Sequence, residues 1–458
     1  MYQIRFDCPC RVHFIGIGGI SMSGLAEILL GAGFSVSGSD ASASALTERI
    51  TKKGAHVFIG QRAENLRELP DLVVYTAAIR PDNPEFAAAK ASGVPMLSRA
   101  ELLGQIMKNY KTAIAVAGTH GKTTTTSMVS HILLKAALDP TISVGGMLPA
   151  IHGNIRVGTS STFVTEACEY TNSFLSFFPT IGIVLNIDAD HLDFFRDLDD
   201  IARSFRRFAE LIPPEGCLIT NADDPRSKEL TEGLPCRIRT YALASDADYT
   251  AADIVYDEHG CGSFTCIEDG KVLGSFTLNV PGVHNVSNAL SAIALGRLLG
   301  LDPETIAAGL AEFRGTERRF EYKGMLSGVT VIDDYAHHPT EIKATMSAAK
   351  TYPHREIWVA FQPHTYSRTK ALLQDFADAL SFADHVVLAD IYAARETDDL
   401  GISSKDLRDS LTELGCDAYY FKSFDEIENF LKSHCIPGDL LITMGAGNIV
   451  EVGNHLLA

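Results

Sequence analysis

A chain of 458 residues, 46% apolar and 21% charged, is long enough for about three globular domains, each with its own core. Its 37 glycines and 18 prolines are at ordinary levels, which excludes collagen-like and low-complexity classes. With 57 acidic against 39 basic residues the net charge is −18, a field that repels nucleic acid and anionic membranes but leaves room for small phosphorylated ligands held by backbone N–H groups.

The first segment, 1–109, opens with an expected strand over Val12–Ile17 that runs into a glycine cluster. A helix at SMSGLAEILLGAG, a strand ending at Asp40, a helix at LTERITKKGA and a buried strand at DLVVYTAAI follow. The second segment, 110–314, restarts with a strand over Ala113–Ala117, a glycine loop and the helix TTTTSMVSHILLKAAL. Strands are expected at TFVTEA, IGIVLNI and GCLITN, with a helix near IARSFRRFAELI. From Ala251 to Val280 short alternating strands with DG turns predict an antiparallel stretch, and two helices close the segment. The third segment, 315–458, returns to strand–helix alternation from VTVIDD to a final helix after DLLITMGAG, with one helix expected after Thr369. The fold class that follows is α/β, three domains each built on a mainly parallel sheet: a Rossmann-like one, a P-loop-type one, and a second Rossmann-like one. Ligands are expected at the carboxyl ends of the strands.

The opening stretch MYQIRFDCPC lacks the basic start, long apolar run and cleavage site of a signal peptide. No run of about 18 apolar residues occurs, so no membrane insertion is expected. Nine scattered cysteines without zinc-like spacing read as thiols in a reducing cytosol. A cytoplasmic monomer or homodimer is the expectation.

Two glycine loops carry the first chemistry. In Gly16-Ile-Gly18-Gly19-Ile-Ser21 the residues without Cβ permit a tight turn, and the following helix offers N–H groups to a pyrophosphate. Ser21 stands where the dinucleotide fingerprint has its third glycine, and Asp40, at the end of the second strand, is placed for a ribose or base. NAD binding and a plain packing turn remain open readings of this loop. The second loop, Gly118-Thr119-His120-Gly121-Lys122-Thr123-Thr124, is shorter than the full Walker pattern but keeps its working parts. Its glycines wrap phosphates, Lys122 neutralises the terminal ones and Thr123 offers a hydroxyl to Mg2+, so ATP is the ligand expected there. Glu166, at a strand end, suits a magnesium site. His191, in IDADHLD beside Asp188, Asp190 and Asp193, reads on its own as a hydrogen-bonding group, and the acids equally suit a helix N-terminus.

Taken together, HFIGIGGISMSG, AVAGTHGKTTTT, TEACEY, NIDADHLD, GVHNVSNALSAIA, RRFEYKG, IDDYAHHPTEI and FQPHTYSRT resemble the Mur ligase family, ATP-dependent amino-acid ligases of peptidoglycan synthesis, over essentially the whole chain. The words match best the branch that adds L-alanine to UDP-N-acetylmuramate. The resemblance implies that Gly16, Gly18, Gly19, Ser21 and Asp40 serve UDP rather than NAD, and that Gly118 to Thr124 cradle ATP. It implies that Thr123 and Glu166 hold one Mg2+ and His191 a second. His284, Asn285 and Asn288 would frame adenine, Arg319 and Asp334 would reach ATP, and His364 and Arg368 would grip substrate carboxylates. Lys122, Glu166 and His191 would be the catalytic groups. Many family members carry a carbamylated lysine after the His191 motif; no lysine stands between Asp193 and Pro225 here, in keeping with the alanine-adding branch.

Overall fold

The computed structural model describes residues 2–458 apart from Asp193, Arg395 and Asp399. Its strands form three sheets, mainly parallel, as the alternation of strands and helices predicts. The chain divides into two compact units, Met1–Ile187 with Ala202–Thr240, and Asp188–Ile201 with Tyr241–Ala458.

The first unit begins with β1 (Arg11–Ile15), α1 (Ile20–Gly31), β2 (Ser35–Asp40), α2 (Ala45–Lys52), β3 (His56–Ile59), β4 (Leu72–Tyr75), α3 (Pro84–Ser92), β5 (Met96–Ser98) and α4 (Arg99–Met107). These strands lie in the order β3-β2-β1-β4-β5, every pair parallel. Val12, Phe14 and Ile15 of β1 and Leu72, Val73 and Val74 of β4 are fully buried, as central parallel strands covered on both faces require. β1 ends at Ile15, short of the expected Ile17, because Gly16 turns the chain at φ +88°. Capping boxes, Ser44 with Thr47 and Ser98 with Glu101, start α2 and α4.

The unit continues with β6 (Thr112–Ala117), α5 (Lys122–Lys135), β7 (Thr141–Leu148), β8 (Gly153–Arg156), β9 (Thr162–Glu166), β10 (Ile181–Val184), α6 (Leu198–Ala209), β11 (Cys217–Asn221), α7 (Ser227–Thr231) and β12 (Arg237–Ala242). Here the order is β11-β10-β6-β9-β7-β8, parallel except for the β7–β8 hairpin. That hairpin is not foreseen from sequence, since its glycines break the apolar alternation. α6 and β12 carry the chain from one unit to the other.

In the second unit β13 (Tyr249–Tyr256), β14 (Cys261–Glu268) and β15 (Lys271–Pro281) are antiparallel, as expected. Asp269 and Gly270, at φ +49° and +77°, make the tight turn between β14 and β15. α8 (Val283–Leu298) and α9 (Pro303–Glu312) precede β16 (Glu321–Leu326), β17 (Val329–Asp334), α10 (Pro339–Thr351), β18 (Ile357–Phe361), α11 (Tyr366–Ala371), α12 (Leu373–Leu380), β19 (His385–Leu388), α13 (Ser404–Glu413), β20 (Asp417–Tyr420), α14 (Phe424–His434), β21 (Leu440–Met444) and α15 (Val450–Leu457). The order is β16-β17-β21-β18-β19-β20, with only the edge strand β16 antiparallel. Ile342, Met346, Phe376 and Leu407 cover one face, and Ile427, Leu431, Val452 and Leu456 the other. The helix expected after Thr369 starts earlier, at Tyr366, and comes in two pieces. Among the described residues no helix is long and apolar enough to cross a membrane.

Candidate active site

In the first unit both glycine loops leave the carboxyl ends of buried parallel strands. β1 enters the first loop, where the N–H groups of Gly16 and Ile17 donate to the Ser39 carbonyl at 2.8 and 2.9 Å. The Gly18 N–H donates to Asp40 Oδ2 at 2.8 Å. The Asp40 carboxylate, expected on a ribose or base, thus holds the loop itself. α1 follows with Gly19 as its N-cap and no side-chain cap, which leaves its first-turn N–H groups without the partner a capping side chain would supply. Ser21 Oγ accepts a bond from Arg99 Nη1 at 3.2 Å.

β6 enters the second loop. Gly118 sits at φ +141° and Gly121 at φ +85°, conformations that other residues rarely adopt. Asn186 clamps the loop: its Oδ1 accepts from the His120 N–H at 2.8 Å, its Nδ2 donates to the His120 carbonyl at 3.1 Å, and its own carbonyl accepts from the Thr119 N–H at 3.1 Å. Lys122 Nζ donates to the carbonyls of Gly118 and Thr119 at 2.5 and 3.0 Å and to the Glu169 carboxylate at 2.9 Å. Burial alone would lower the Lys122 pKa, but Glu169 beside it outweighs that and raises it. Thr123 Oγ1 donates to Glu166 Oε2 at 3.1 Å, and the Gly145 N–H of β7 donates to Glu166 Oε1 at 2.5 Å. A Cβ on Gly145 would lie 2.7 Å from that carboxylate, so a side chain there would push Glu166 out of this position. Thr124 is half-buried on the same first turn of α5.

The second unit gathers another set. Asp188 Oδ2 accepts from the Thr340 hydroxyl at 2.6 Å, and the Ala189 carbonyl meets His338 Nε2 at 2.9 Å. Arg368 Nη2 donates to Asp190 Oδ1 at 2.8 Å and its Nη1 lies 3.3 Å from His364 Nδ1. Burial would lift the Asp190 pKa; Arg368, with the neighbouring histidines, instead holds it well below the usual carboxylate range. The His364 ring stacks on Tyr392 at 5.6 Å, and burial, with His337 and Arg368 nearby, pushes its pKa down to about 4. His191 follows at φ +54°, with Asp190 3.9 Å from its Nε2; Asp193 lies outside the described residues.

Asp334, at the end of β17, accepts from the Phe320 and Ala336 N–H groups, both at 2.7 Å. Burial raises its pKa to about 6, against the pull of Arg319. Both oxygens thus organise the chain around Arg319, whose guanidinium lies 5.2 Å from the centre of the Tyr335 ring. His284, Asn285 and Asn288 share the first turns of α8: Asn288 Nδ2 donates to Asn285 Oδ1 at 3.2 Å, Asn285 Nδ2 donates to the Pro281 carbonyl at 2.7 Å, and His284 is exposed. The structure therefore brings Lys122, Thr123 and Glu166 together in one unit, and His191, His364 and Arg368 together in the other.

The chain matches the Mur ligase family, catalytic domain, over residues 11–111, the Mur ligase middle domain over 116–296 and the Mur ligase, glutamate ligase domain over 318–447. It belongs to the Mur ligase family. A curated relative, the UDP-N-acetylmuramate–L-alanine ligase of Agathobacter rectalis, is 61% identical over 457 residues, covering 100% of both chains. The enzyme of the same name from Lachnospira eligens is 59% identical, again over 100% of both. Among solved structures, the UDP-N-acetylmuramate-alanine ligase of Thermotoga maritima superposes with a TM-score of 0.79 at 32% identity, over 98% of each chain. A murein peptide ligase from Psychrobacter arcticus gives 0.70 at 27%, also over 98% of each.

Several groups at the site of this Mur ligase escape a reading by motif. Asn186 lies inside a quoted word, NIDADHLD, yet nothing local marks its side chain as the clamp on a loop 66 residues away. Glu169 stands three residues past Glu166, and its pairing with Lys122 needs the tertiary fold. Gly145 and Arg99 carry no motif signal.

Proposed function

We propose that this chain is an ATP-dependent ligase that joins L-alanine to the lactyl carboxylate of UDP-N-acetylmuramate and releases ADP and phosphate. That is the first amino-acid step of the peptidoglycan stem peptide, carried out in the cytoplasm. The convergence of Lys122, Thr123 and Glu166 on the loop between β6 and α5 carries the catalytic part of this reading. The names of the full-length relatives support the choice of substrates.

A carboxylate does not react with an amine in water, because its oxygen is too poor a leaving group. Transfer of the γ-phosphoryl group to the lactyl carboxylate gives an acyl phosphate, which the alanine amine attacks with loss of phosphate. Negative groups must meet in the first step, so cations aimed at developing charge dominate the catalysis. Lys122, held over the loop by two carbonyls and Glu169, is positioned to supply one. The Thr123 hydroxyl and Glu166 carboxylate offer two hard oxygens beside the phosphate seat, a donor set that suits Mg2+ with phosphates completing its shell. Bound there, Mg2+ would neutralise phosphate charge.

In the same reading Gly118 to Thr124 cradle ATP, and Gly16 to Ser21 take the UDP moiety. Segment 1–109 serves UDP, 110–314 ATP and 315–458 the amino acid. His284, Asn285, Asn288, Arg319 and Asp334 serve the nucleotide, His364 and Arg368 the carboxylates, and His191 a second ion.

Phosphate release should require UDP-N-acetylmuramate, ATP and Mg2+ together, with L-alanine the best amino acid. A small pocket discriminates a methyl group or a hydroxyl only modestly, so glycine should trail by roughly 10- to 200-fold in kcat/KM, with L-serine also weaker. Equal turnover with D-glutamate, or with a tripeptide in place of alanine, would overturn the substrate assignment.

A further inference from the structure

The first glycine loop has a cationic neighbour that no motif accounts for. Arg99 is the first residue of α4, directly after β5, so it stands at the carboxyl edge of the same parallel sheet whose central strand β1 feeds the loop. Its position is fixed by the Ser98–Glu101 capping box: the Glu101 carboxylate accepts from the Ser98 N–H at 2.7 Å, and Ser98 Oγ from the Glu101 N–H at 3.3 Å. From there the side chain crosses to α1, where Nη1 donates to Ser21 Oγ at 3.2 Å.

That bond is an incomplete use of an arginine. The guanidinium carries five N–H donors in a planar fork suited to anions, and a neutral hydroxyl takes one. Arg99 is half-buried, yet among the described residues no carboxylate pairs with it. Arg49, Arg156, Arg297, Arg318, Arg355 and Arg368 each have an acid partner. Burial accordingly lowers the Arg99 pKa, with only the Cys168 thiol acting the other way. A guanidinium drawn out of water without a counter-ion is costly unless an anion arrives to meet it. The spot it reaches is also where α1 presents N–H groups without a side-chain cap.

We propose that Arg99 is a substrate-binding residue whose guanidinium receives the diphosphate of the UDP-sugar beside the first turn of α1. The inference rests on the reading of the first loop as the UDP-sugar site. The diphosphate is favoured over the lactyl carboxylate because the contact of Arg99 is with Ser21, in the same turn as the open N–H groups.

Calorimetric titration tests this with UDP, UDP-N-acetylmuramate, UDP-N-acetylglucosamine and ADP at several salt concentrations. Loss of a charge-assisted contact should weaken UDP by about 10- to 100-fold in Arg99→Ala, with Arg99→Lys in between. The variant's UDP affinity should also lose part of its salt dependence, which removal of a merely structural tie would leave unchanged. ADP affinity should stay at the wild-type value and shows that each variant is folded. Unchanged UDP affinity, or a loss with an unaltered salt slope, would overturn the proposal. So would a variant that binds UDP normally but no longer prefers the muramyl over the glucosaminyl sugar, since that places Arg99 on the lactyl carboxylate. Wild type that binds neither UDP nor its sugars removes the loop assignment itself, together with the role of Arg99.

Discussion

Lys122→Ala should cut turnover by about 10²–10³-fold, the loss typical of one preorganised charge aimed at a transition state. The geometry adds a second effect. Glu169 is 2% exposed and pairs with Lys122, so removing the ammonium takes a cation away from a buried carboxylate. Breaking such a pair costs roughly 3–5 kcal/mol of stability. The double variant Lys122→Met with Glu169→Gln separates the two effects, because it removes both charges and keeps the volumes similar. Thermal denaturation should show most of the stability recovered in the double variant, while phosphate release stays low. UDP-N-acetylmuramate should still bind both variants, since its loop leaves a different strand. Near-normal turnover in Lys122→Ala would mean that the loop is structural only.

Gly18→Val should abolish binding of UDP-N-acetylmuramate, a loss of at least about 100-fold by calorimetry, and leave ATP binding nearly intact. From sequence the reason is close approach of the backbone to a pyrophosphate. The structure supplies a different one. A Cβ at Gly18 would lie 2.8 Å from both Asp40 Oδ2 and Thr47 Cγ2, so a branched side chain pushes away the carboxylate that accepts the Gly18 N–H. The loop loses its anchor before any ligand arrives. Circular dichroism should show the variant folded, and ADP affinity should match wild type. Measurable NAD affinity in wild type, with none for the UDP sugar, would return this loop to the dinucleotide reading.

Much of the architecture was legible because its signals are local. Buried apolar runs such as Ile114–Ala117 mark parallel strands, and glycines before a helix mark the loops whatever they bind. The β7–β8 hairpin and β16 were not legible. Their residues are small, exposed or interrupted by Gly145, Gly146 and Gly324, so no period stands out. At the site, the residues assigned to ligands belong to contiguous words, whereas those that position them come from elsewhere. Asn186 reaches the second loop from the end of β10, Gly145 reaches Glu166 from β7, and Arg99 reaches Ser21 from α4. Each acts through hydrogen bonds that span a long stretch of chain, a relation that spacing cannot encode. Asp40, read from its strand-end position, and Asp334, implied by the family resemblance, also accept backbone N–H groups, a structural task that no motif announces.

Two other glycines set a dimension. Gly24 on α1 packs so closely on Ile155 of β8 that no Cβ would fit, and Gly104 on α4 meets the Ser176 carbonyl in the same way. Each contact lets one helix of the first sheet approach the layer that holds the second loop more closely than a larger side chain would allow. Larger side chains at these two points would act as shims and widen the spacing between the layers that carry Gly18 and Lys122. In the ligase reading, a substrate seated at the first loop would present its far end to the second only if its own length matched that spacing, a selection by span ahead of any selection by functional group.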